Sequence, residues 1–369
     1  MNSFKKSKDR MSKRERVMAA FKNQETDRTP VYDLLLHDKA IEYFSGKFPT
    51  CDEEGVKLKC EATREMLDMT RGAGWGPSVP GENATGNGYI TFPGILTLMD
   101  RWIGLGYKQK PFHDEVSAIS WINEVNKLMK TEKKNIDLIK YRNNFRENFI
   151  KIQKYIGDDT VQLHRESLTG LDYIRAPLGL ELFSYVWADE PGVIQEHVEL
   201  CTDLEVMIIH AIADKALSPC ALTAGDIAFK HSTLHSPQWL RQEYFPKLKM
   251  LNDAWHEHDI LCLYHSDGDL MSVMDDLIGT GIDGLNPIET NAGMDVGVLK
   301  AKYGDRIFLT GGIDMSTLLS FGTPKEVREV CRKAVKDAPV GYFIGSTTEI
   351  DNSAKLENVL VMLDVAWNG

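Results

Sequence analysis

The chain has few cysteines for its length, and none of them is clustered. Cys51, Cys60, Cys201, Cys220, Cys262 and Cys331 are scattered without a C-x-x-C pair, which excludes a disulfide scaffold and leaves free thiols of a reducing cytoplasm as the expectation. No stretch approaches the ~18 consecutive apolar residues of a transmembrane helix. The basic start, MNSFKKSKDRMSKRERV, has no apolar run behind it and does not read as a secretory signal. Positive charge is also short. The 43 basic residues against 54 acidic ones give a net −11, which repels phosphate backbones and anionic membranes, so neither nucleic acid nor a membrane is an expected partner. There is no G-x-x-x-x-G-K-S/T loop, no G-x-G-x-x-G after a strand and no H-E-x-x-H. No internal repeat or low-complexity tract is visible either. What remains is ordinary globular composition, 43% hydrophobic and 26% charged over 369 residues, ample for one large core.

Residues 1–12 are polar and read as a frayed lead-in. Ser12-Lys13-Arg14-Glu15 has the form of a capping box opening a helix with Val17, Met18, Ala20 and Phe21. The apolar run Pro30–Leu36 then reads as a strand buried on both faces. From about residue 160 strands and helices alternate. Strands are expected at Thr160–Arg165, Cys220–Ala224, Ile260–Tyr264, Gly284–Ile288, Ile307–Thr310 and Gly341–Gly345. Helices are expected over 191–216, 236–258, 269–279 and 294–303 and from Thr323-Pro324 onward. With the 30–36 strand and one near 88–92 the total is eight, the number that closes an α/β (β/α)8 TIM barrel; a doubly wound sheet is the alternative. The expected organisation is one domain over 1–369, with a helical extension at 1–28. An insertion at 37–157, containing Trp75, Trp102, Trp121 and a lysine-rich helix near 124–156, would lie over the barrel mouth.

In such a barrel functional groups gather where strands end. Immediately after the expected strands stand His37, Glu166, Asp226, His265 with Asp267, Glu289, Asp314, and Ser346 with Glu349. Burying charges in this way costs several kcal/mol each, to an order of magnitude, unless they are paired or bound to metal. His265 leads the set as a metal ligand or general acid, since imidazole does both near neutral pH; the competing reading is a histidine that holds a loop. Asp267 would share the metal, orient His265 or form an Asx-turn. Asp226 is a base, a ligand or a cap, and Glu289 is presented by Pro287. The expected catalytic residues are His265, Asp226 and Glu289. His37, Glu166, Ser346 and Glu349 are expected at substrate, and His265 and Asp267 at a metal. The tryptophans are most simply core. Gly311-Gly312 reads as a tight turn at the rim rather than a phosphate loop.

Taken in order, Arg14-Glu15-Arg16-Val17, Asp27-Arg28-Thr29-Pro30, 225–230, His265-Ser266-Asp267-Gly268, 281–289, Lys302-Tyr303-Gly304-Asp305, Gly311-Gly312-Ile313-Asp314 and 321–327 resemble the uroporphyrinogen decarboxylase superfamily, which includes corrinoid-dependent methyltransferases of anaerobic microbes. The resemblance implies a (β/α)8 barrel. Decarboxylases of this family carry an R-Q-A-G-R segment after the first strand to grip their many-carboxylate substrate. Leu34-Leu35-Leu36-His37-Asp38-Lys39 has no such guanidinium forks here, which disfavours the tetrapyrrole carboxy-lyase alternative. Thiol-methylating relatives hold zinc with H-x-C and a later cysteine, whereas this chain has His265-Ser266-Asp267 and Gly345-Ser346-Thr347. Oxygen and nitrogen ligands leave zinc a harder Lewis acid than thiolates do. By resemblance, therefore, the chain is a methyltransferase (demethylase) moving a methyl group from a small methyl ether or methylamine-like compound. The acceptor is the cobalt of a corrinoid (cobalamin-type) partner protein, with zinc as the implied ion and a homodimer compatible.

Overall fold

In the computed structural model, which describes residues 9–369, the strands form a closed parallel ring. They are β1 (Tyr32–Asp33), β2 (Met69–Thr70), β3 (Val161–Gln162, resuming as Glu166–Leu168), β4 (Cys220–Ala224), β5 (Leu261–His265), β6 (Gly284–Asn286), β7 (Phe308–Ile313) and β8 (Tyr342–Ser346). Tyr32 pairs with Met69, Met69 with Val161, Glu166 with Leu222, and Leu263 with both Leu222 and Gly284. Gly284 then pairs with Phe308 and Leu309 with Tyr342. Within β3 the break is bridged by His164 N–H donating to Cys220 C=O at 2.8 Å. The last seam closes where Val31 bridges Ile344, whose N–H donates to Pro30 C=O at 3.0 Å. The fold is the (β/α)8 barrel that the alternation of elements predicts, and it excludes the doubly wound sheet.

Packing inside the ring explains the residue choice. Tyr32, Met69, Val161, Leu163, Cys220, Leu222, Leu263, Phe308 and Phe343 form one buried cluster with Val17 and Ala20 of the first helix, Lys13–Phe21. That helix opens with the predicted capping box of Ser12 and Glu15 and plugs the N-terminal end of the barrel. Phe21 lies 4.7 Å from the Phe308 ring, which in turn lies 5.7 Å from Phe343. Gly284 is the inward position of β6 because a Cβ there would fall 2.3 Å from the Phe308 ring. Continuously buried strands such as Cys220–Ala224, Phe308–Ile313 and Tyr342–Ser346 are what a parallel sheet covered by helices requires.

The plug is fastened by charge. Asp68, fully buried just before β2, accepts hydrogen bonds from Arg16 and Arg28 at 2.8 Å and from the Val31 N–H at 2.8 Å. Arg28 also pairs with Asp9 at 2.9 Å, and Asp27 accepts from Arg16 and from the N–H groups of Arg10 and Met11. Residues 9–12 are thus tied down rather than frayed; the remainder of that expected lead-in, 1–8, lies outside the described residues.

Two expectations need correction. The second barrel strand is Met69–Thr70, not a segment near 88–92. Residues 91–99 instead form the middle of an antiparallel sheet with Gly81–Gly86 and Thr91–Met99 paired side by side and Gly104–Gln109 on the far edge. The 37–157 region therefore divides. Helices Asp38–Ser45 and Glu53–Met66 belong to the first βα crossover, while the insertion lies between β2 and β3. It comprises that sheet and the helices Glu115–Asn135 and Leu138–Ile156, so the single lysine-rich helix is two. Trp121 is core, but Trp75 is 49% exposed. No helix among the described residues is long and apolar enough to cross a membrane.

Candidate functional site

His265 is the last residue of β5 and is 8% exposed. Its Nδ1 lies 2.7 Å from Asn286 Oδ1, an acceptor at the end of β6, so the ring proton sits on Nδ1 and the Nε2 lone pair is free. Nε2 stands 4.0 Å from Asp267 Oδ1, a buried atom with no hydrogen-bond partner among the described residues. Asp226 follows β4 and accepts the Asp267 N–H at 3.2 Å. Ligand atoms of Asp226, His265 and Asp267 all lie within 4.8 Å of one another. Glu289 meets the same loop, accepting the Gly268 N–H at 2.7 Å.

The two loops that carry these acids are built against each other. Ile227 N–H donates to Ser266 Oγ at 3.1 Å, and Asp269 N–H to Phe229 C=O at 2.9 Å. Gly268 sits at φ +96°, where a Cβ would lie 2.5 Å from the Ala228 backbone, so only glycine permits this approach. Arg175 donates to the Asp226 carbonyl and pairs with Asp172, holding the first loop from the side.

Electrostatics sort the groups. Burial, helped by the Arg71 guanidinium, pushes His265 down to about 4, against the opposing pull of Asp226 and the Asn286 bond. The imidazole is neutral at pH 7, the form that can ligate metal. Burial and the carboxylates of Asp226, Glu289 and Glu349 push Asp267 up to about 7, with Arg71 opposing. Burial also raises Glu166, again against Arg71. A neutral imidazole, an orphaned carboxylate oxygen and a second carboxylate form a nitrogen–oxygen donor set of the kind catalytic zinc takes, with three protein ligands and an open position. The donor set fits the implied ion in kind, and no thiolate belongs to it; all six cysteines are unpaired.

The remaining expected site residues separate. Glu349 stands 3.8 Å from Arg71, and Glu166 lines the adjoining cavity, so both border the site. His37 does not. Its Nδ1 accepts the Ala40 N–H at 3.0 Å as a helix cap, and its Nε2 donates to Ala354 C=O at 2.9 Å, so both nitrogens are spent on backbone. Ser346 is similarly committed. Its Oγ and N–H both donate to buried Asp33, at 2.8 and 2.6 Å, fastening β8 to β1. Asp314 caps the turn after β7, accepting from Thr317 and Leu318 N–H groups. Gly311 and Gly312 lie inside β7 rather than at a turn.

Arg71 is the main residue that sequence reasoning passes over. It directly follows β2, is 8% exposed, and its field reaches Glu166, Glu349 and Asp267. Its signal was an arginine after Met69-Thr70, hidden because two residues do not announce a strand. Arg165 is the other. It pairs with buried Glu205 at 2.8 Å and donates to the hydroxyls of Tyr89 and Tyr141 at 2.7 and 2.9 Å, tying the insertion to β3. Between them, insertion and barrel enclose a cavity of about 450 Å³ that contains Arg71, Arg165 and Glu166 in its wall. That is within the range of roughly 300–1,000 Å³ for small-molecule sites.

The family model described as "Uroporphyrinogen decarboxylase (URO-D)" matches residues 179–368. The chain belongs to the uroporphyrinogen decarboxylase family. The matched half of this URO-D chain spans β4 to β8 and so contains Asp226, His265, Asp267, Glu289 and Glu349, whereas the insertion and Arg71 lie outside it. Among solved structures, a methyltransferase from Methanosarcina mazei superposes with a TM-score of 0.63 at 15% identity, over 96% of this chain and 98% of that one. At that identity the likeness speaks for the barrel alone. A search of curated proteins finds no match in sequence.

Proposed function

We propose that this URO-D protein is a methyltransferase that moves a methyl group from a small O- or N-methylated compound to the cobalt of a corrinoid protein. The observation that carries the reading is the convergence of Asp226, His265 and Asp267 at one rim, without a thiolate. The methyltransferase whose barrel superposes on this one lends support at the level of fold. The missing guanidinium forks after β1 speak against tetrapyrrole decarboxylation. There Leu34–Leu36 are buried, His37 is a cap, and Asp38 pairs with Arg101 at 2.8 Å.

In the transfer, the reduced cobalt of the partner would supply the electron pair of the new carbon–cobalt bond while the carbon–heteroatom bond breaks, its pair staying on the heteroatom, which then takes a proton. An alkoxide or phenoxide leaves poorly, so the protein must help at that atom. Asp226, His265 and Asp267 would hold a divalent ion, which supplies Lewis-acid assistance there. Asn286 fixes the His265 tautomer with Nε2 toward the rim. Glu289 holds the Gly268 loop in register. With no ion bound, the Asp267 carboxyl, pushed up to about 7 chiefly by burial, is about half protonated at neutral pH beside the same position. The corrinoid partner would dock at the barrel mouth, on the side of the His265 rim.

The test is direct. Purified protein is mixed with a reduced corrinoid protein and a panel of O- and N-methyl compounds, and methyl–cobalt formation is followed by absorbance. His265→Ala should lower the rate by about 10²–10⁴-fold. No methyl–cobalt with any donor, together with turnover of uroporphyrinogen, would replace this reading with the carboxy-lyase.

A further inference from the structure

A second group of ligands lies at the opposite end of the barrel from the rim. Ligand atoms of His256, Cys262 and Asp283 all lie within 4.8 Å of one another. Among the described residues, this trio and the rim cluster are the two places where three histidine, cysteine or acidic ligands come so close. His256 ends the helix Phe245–His256 that follows β4, Cys262 is the second residue of β5, and Asp283 directly precedes β6. Side chains alternate along a strand. Leu263 joins the cluster inside the ring, whereas Cys262 packs in the core between strands and helices. Strand β5 therefore delivers His265 to the rim at its end and, three residues earlier, turns Cys262 outward to the helix layer.

The strand starts hold these groups together. Cys262 N–H donates to Asp283 Oδ2 at 2.7 Å, and Asp283 N–H donates to Cys262 C=O at 2.8 Å. His256 Nε2 donates to the same Oδ2 at 2.8 Å. Asp283 Oδ1 has no hydrogen bond among the described residues, and the Cys262 thiol has only a 3.8 Å contact with the Asn252 carbonyl. An ion pair of His256 with Asp283 accounts for one carboxylate oxygen and leaves the other, and the thiol, almost unused. Cys262 is fully buried, but the His256 and Asp283 side chains are 36% and 30% exposed, so the trio opens to solvent on their side.

We infer that His256, Cys262 and Asp283 bind zinc as a staple, fastening the end of that helix to the starts of β5 and β6. The donors select the ion. An imidazole, a thiolate and a carboxylate are all zinc ligands, with water from the exposed side in the fourth place, whereas calcium and magnesium take oxygen alone. At bonds of about 2.0–2.3 Å the donors of a tetrahedral ion stand about 3.3–3.6 Å apart, so side-chain shifts of about an ångström complete the site. Binding releases the thiol proton, and the Nε2 proton of His256 leaves or moves to Nδ1. The thiolate sets this site apart from the rim, whose donors are nitrogen and oxygen only. It is independent of the proposed methyl transfer.

Cobalt(II) reads the site, because it replaces zinc and absorbs strongly in the near ultraviolet when a thiolate binds it. The intact protein, stripped of metal and titrated with cobalt, should show that band. So should His265→Ala, in which the rim is disabled, and added zinc should abolish the band in both. Cys262→Ser should lose it. His256→Gln, a change at the surface, should keep the band but bind cobalt at least about tenfold more weakly, since losing even a group that merely supports a ligand costs about 10–100-fold. Zinc should raise the Tm of His265→Ala and leave that of His265→Ala with Cys262→Ser unmoved. No band in the parent, a band that survives Cys262→Ser, or unchanged cobalt affinity in His256→Gln would overturn the inference.

Discussion

Replacing Asn286 tests the site through a residue that touches neither substrate nor ion. Asn286→Ala deletes one 2.7 Å bond, from His265 Nδ1–H to Asn286 Oδ1, in a place that is 1% exposed. The orphaned ring N–H then costs about 1–3 kcal/mol. At about 2.1 cal/mol/K per residue, unfolding 369 residues spreads that loss over a Tm shift of only roughly 1–4 °C, so the variant stays folded. The functional loss is larger in proportion. Removing the group that orients a metal-ligating histidine weakens metal binding about 10–100-fold, about 1.4–2.8 kcal/mol. Zinc affinity, read by competition with a chromophoric chelator, should fall by that factor, and the methyl-transfer rate should fall with it. Asn286→Asp keeps the acceptor and adds a charge, so it should restore the orientation while lifting His265 above its value of about 4. If Asn286→Ala binds zinc as tightly as the parent, His265 is not a ligand held by this bond.

Four further outcomes follow from the structure. Asp68→Asn leaves Arg16 and Arg28 without their shared buried counter-charge. The loss should be about 3–5 kcal/mol, seen by calorimetry as a Tm roughly 4–6 °C lower at about 2.1 cal/mol/K per residue. Apparent zinc affinity should climb as pH rises through about 7, because Asp267, raised to about 7 from 3.8 mainly by burial, must release its proton to ligate. Asp267→Asn should flatten that dependence, and a parent profile already flat from pH 6 to 8 would contradict it. Without metal the sign reverses. A carboxyl whose folded pKa is raised stabilises the fold fully below its unfolded value near 3.8, and that contribution is lost as pH rises toward 7, so metal-free Asp267→Asn should gain on the parent in Tm across that window. Gly268→Ala forces a Cβ to within 2.5 Å of the Ala228 backbone at φ +96°. The Asp226 and Asp267 loops should part and activity drop about 10²-fold, with a smaller change in Tm.

How far the sequence could be read depended on element length. Runs such as Cys220–Ala224 or Phe308–Ile313 declare themselves because a parallel strand covered on both faces must be apolar throughout, and the acids placed after β4, β5 and β6 did converge at the rim. Met69–Thr70 is only two residues long, too short for any periodicity, and with it went Arg71. The nearby antiparallel sheet, rich in glycine and threonine, took its place in the count. The final helix, Leu356–Asn368, was also passed over. Position after a strand did not separate a residue of the rim cluster from a fastener. His37 and Ser346 stand there as His265 does, yet each has its polar atoms consumed by neighbours from the other end of the chain, Ala354 and Asp33. Contacts of that kind, some three hundred residues apart in sequence, leave no local trace.

The first helix has a kinetic consequence. With Phe21, Phe308 and Phe343 stoppering the barrel's far end, there is no route along its axis, and whatever meets His265 along that axis arrives from a single direction. In the proposed transfer, a small donor and a bulky protein acceptor would then share one doorway. Steady-state rates should show the donor entering before the acceptor covers it, and excess acceptor should slow turnover by closing the door too soon.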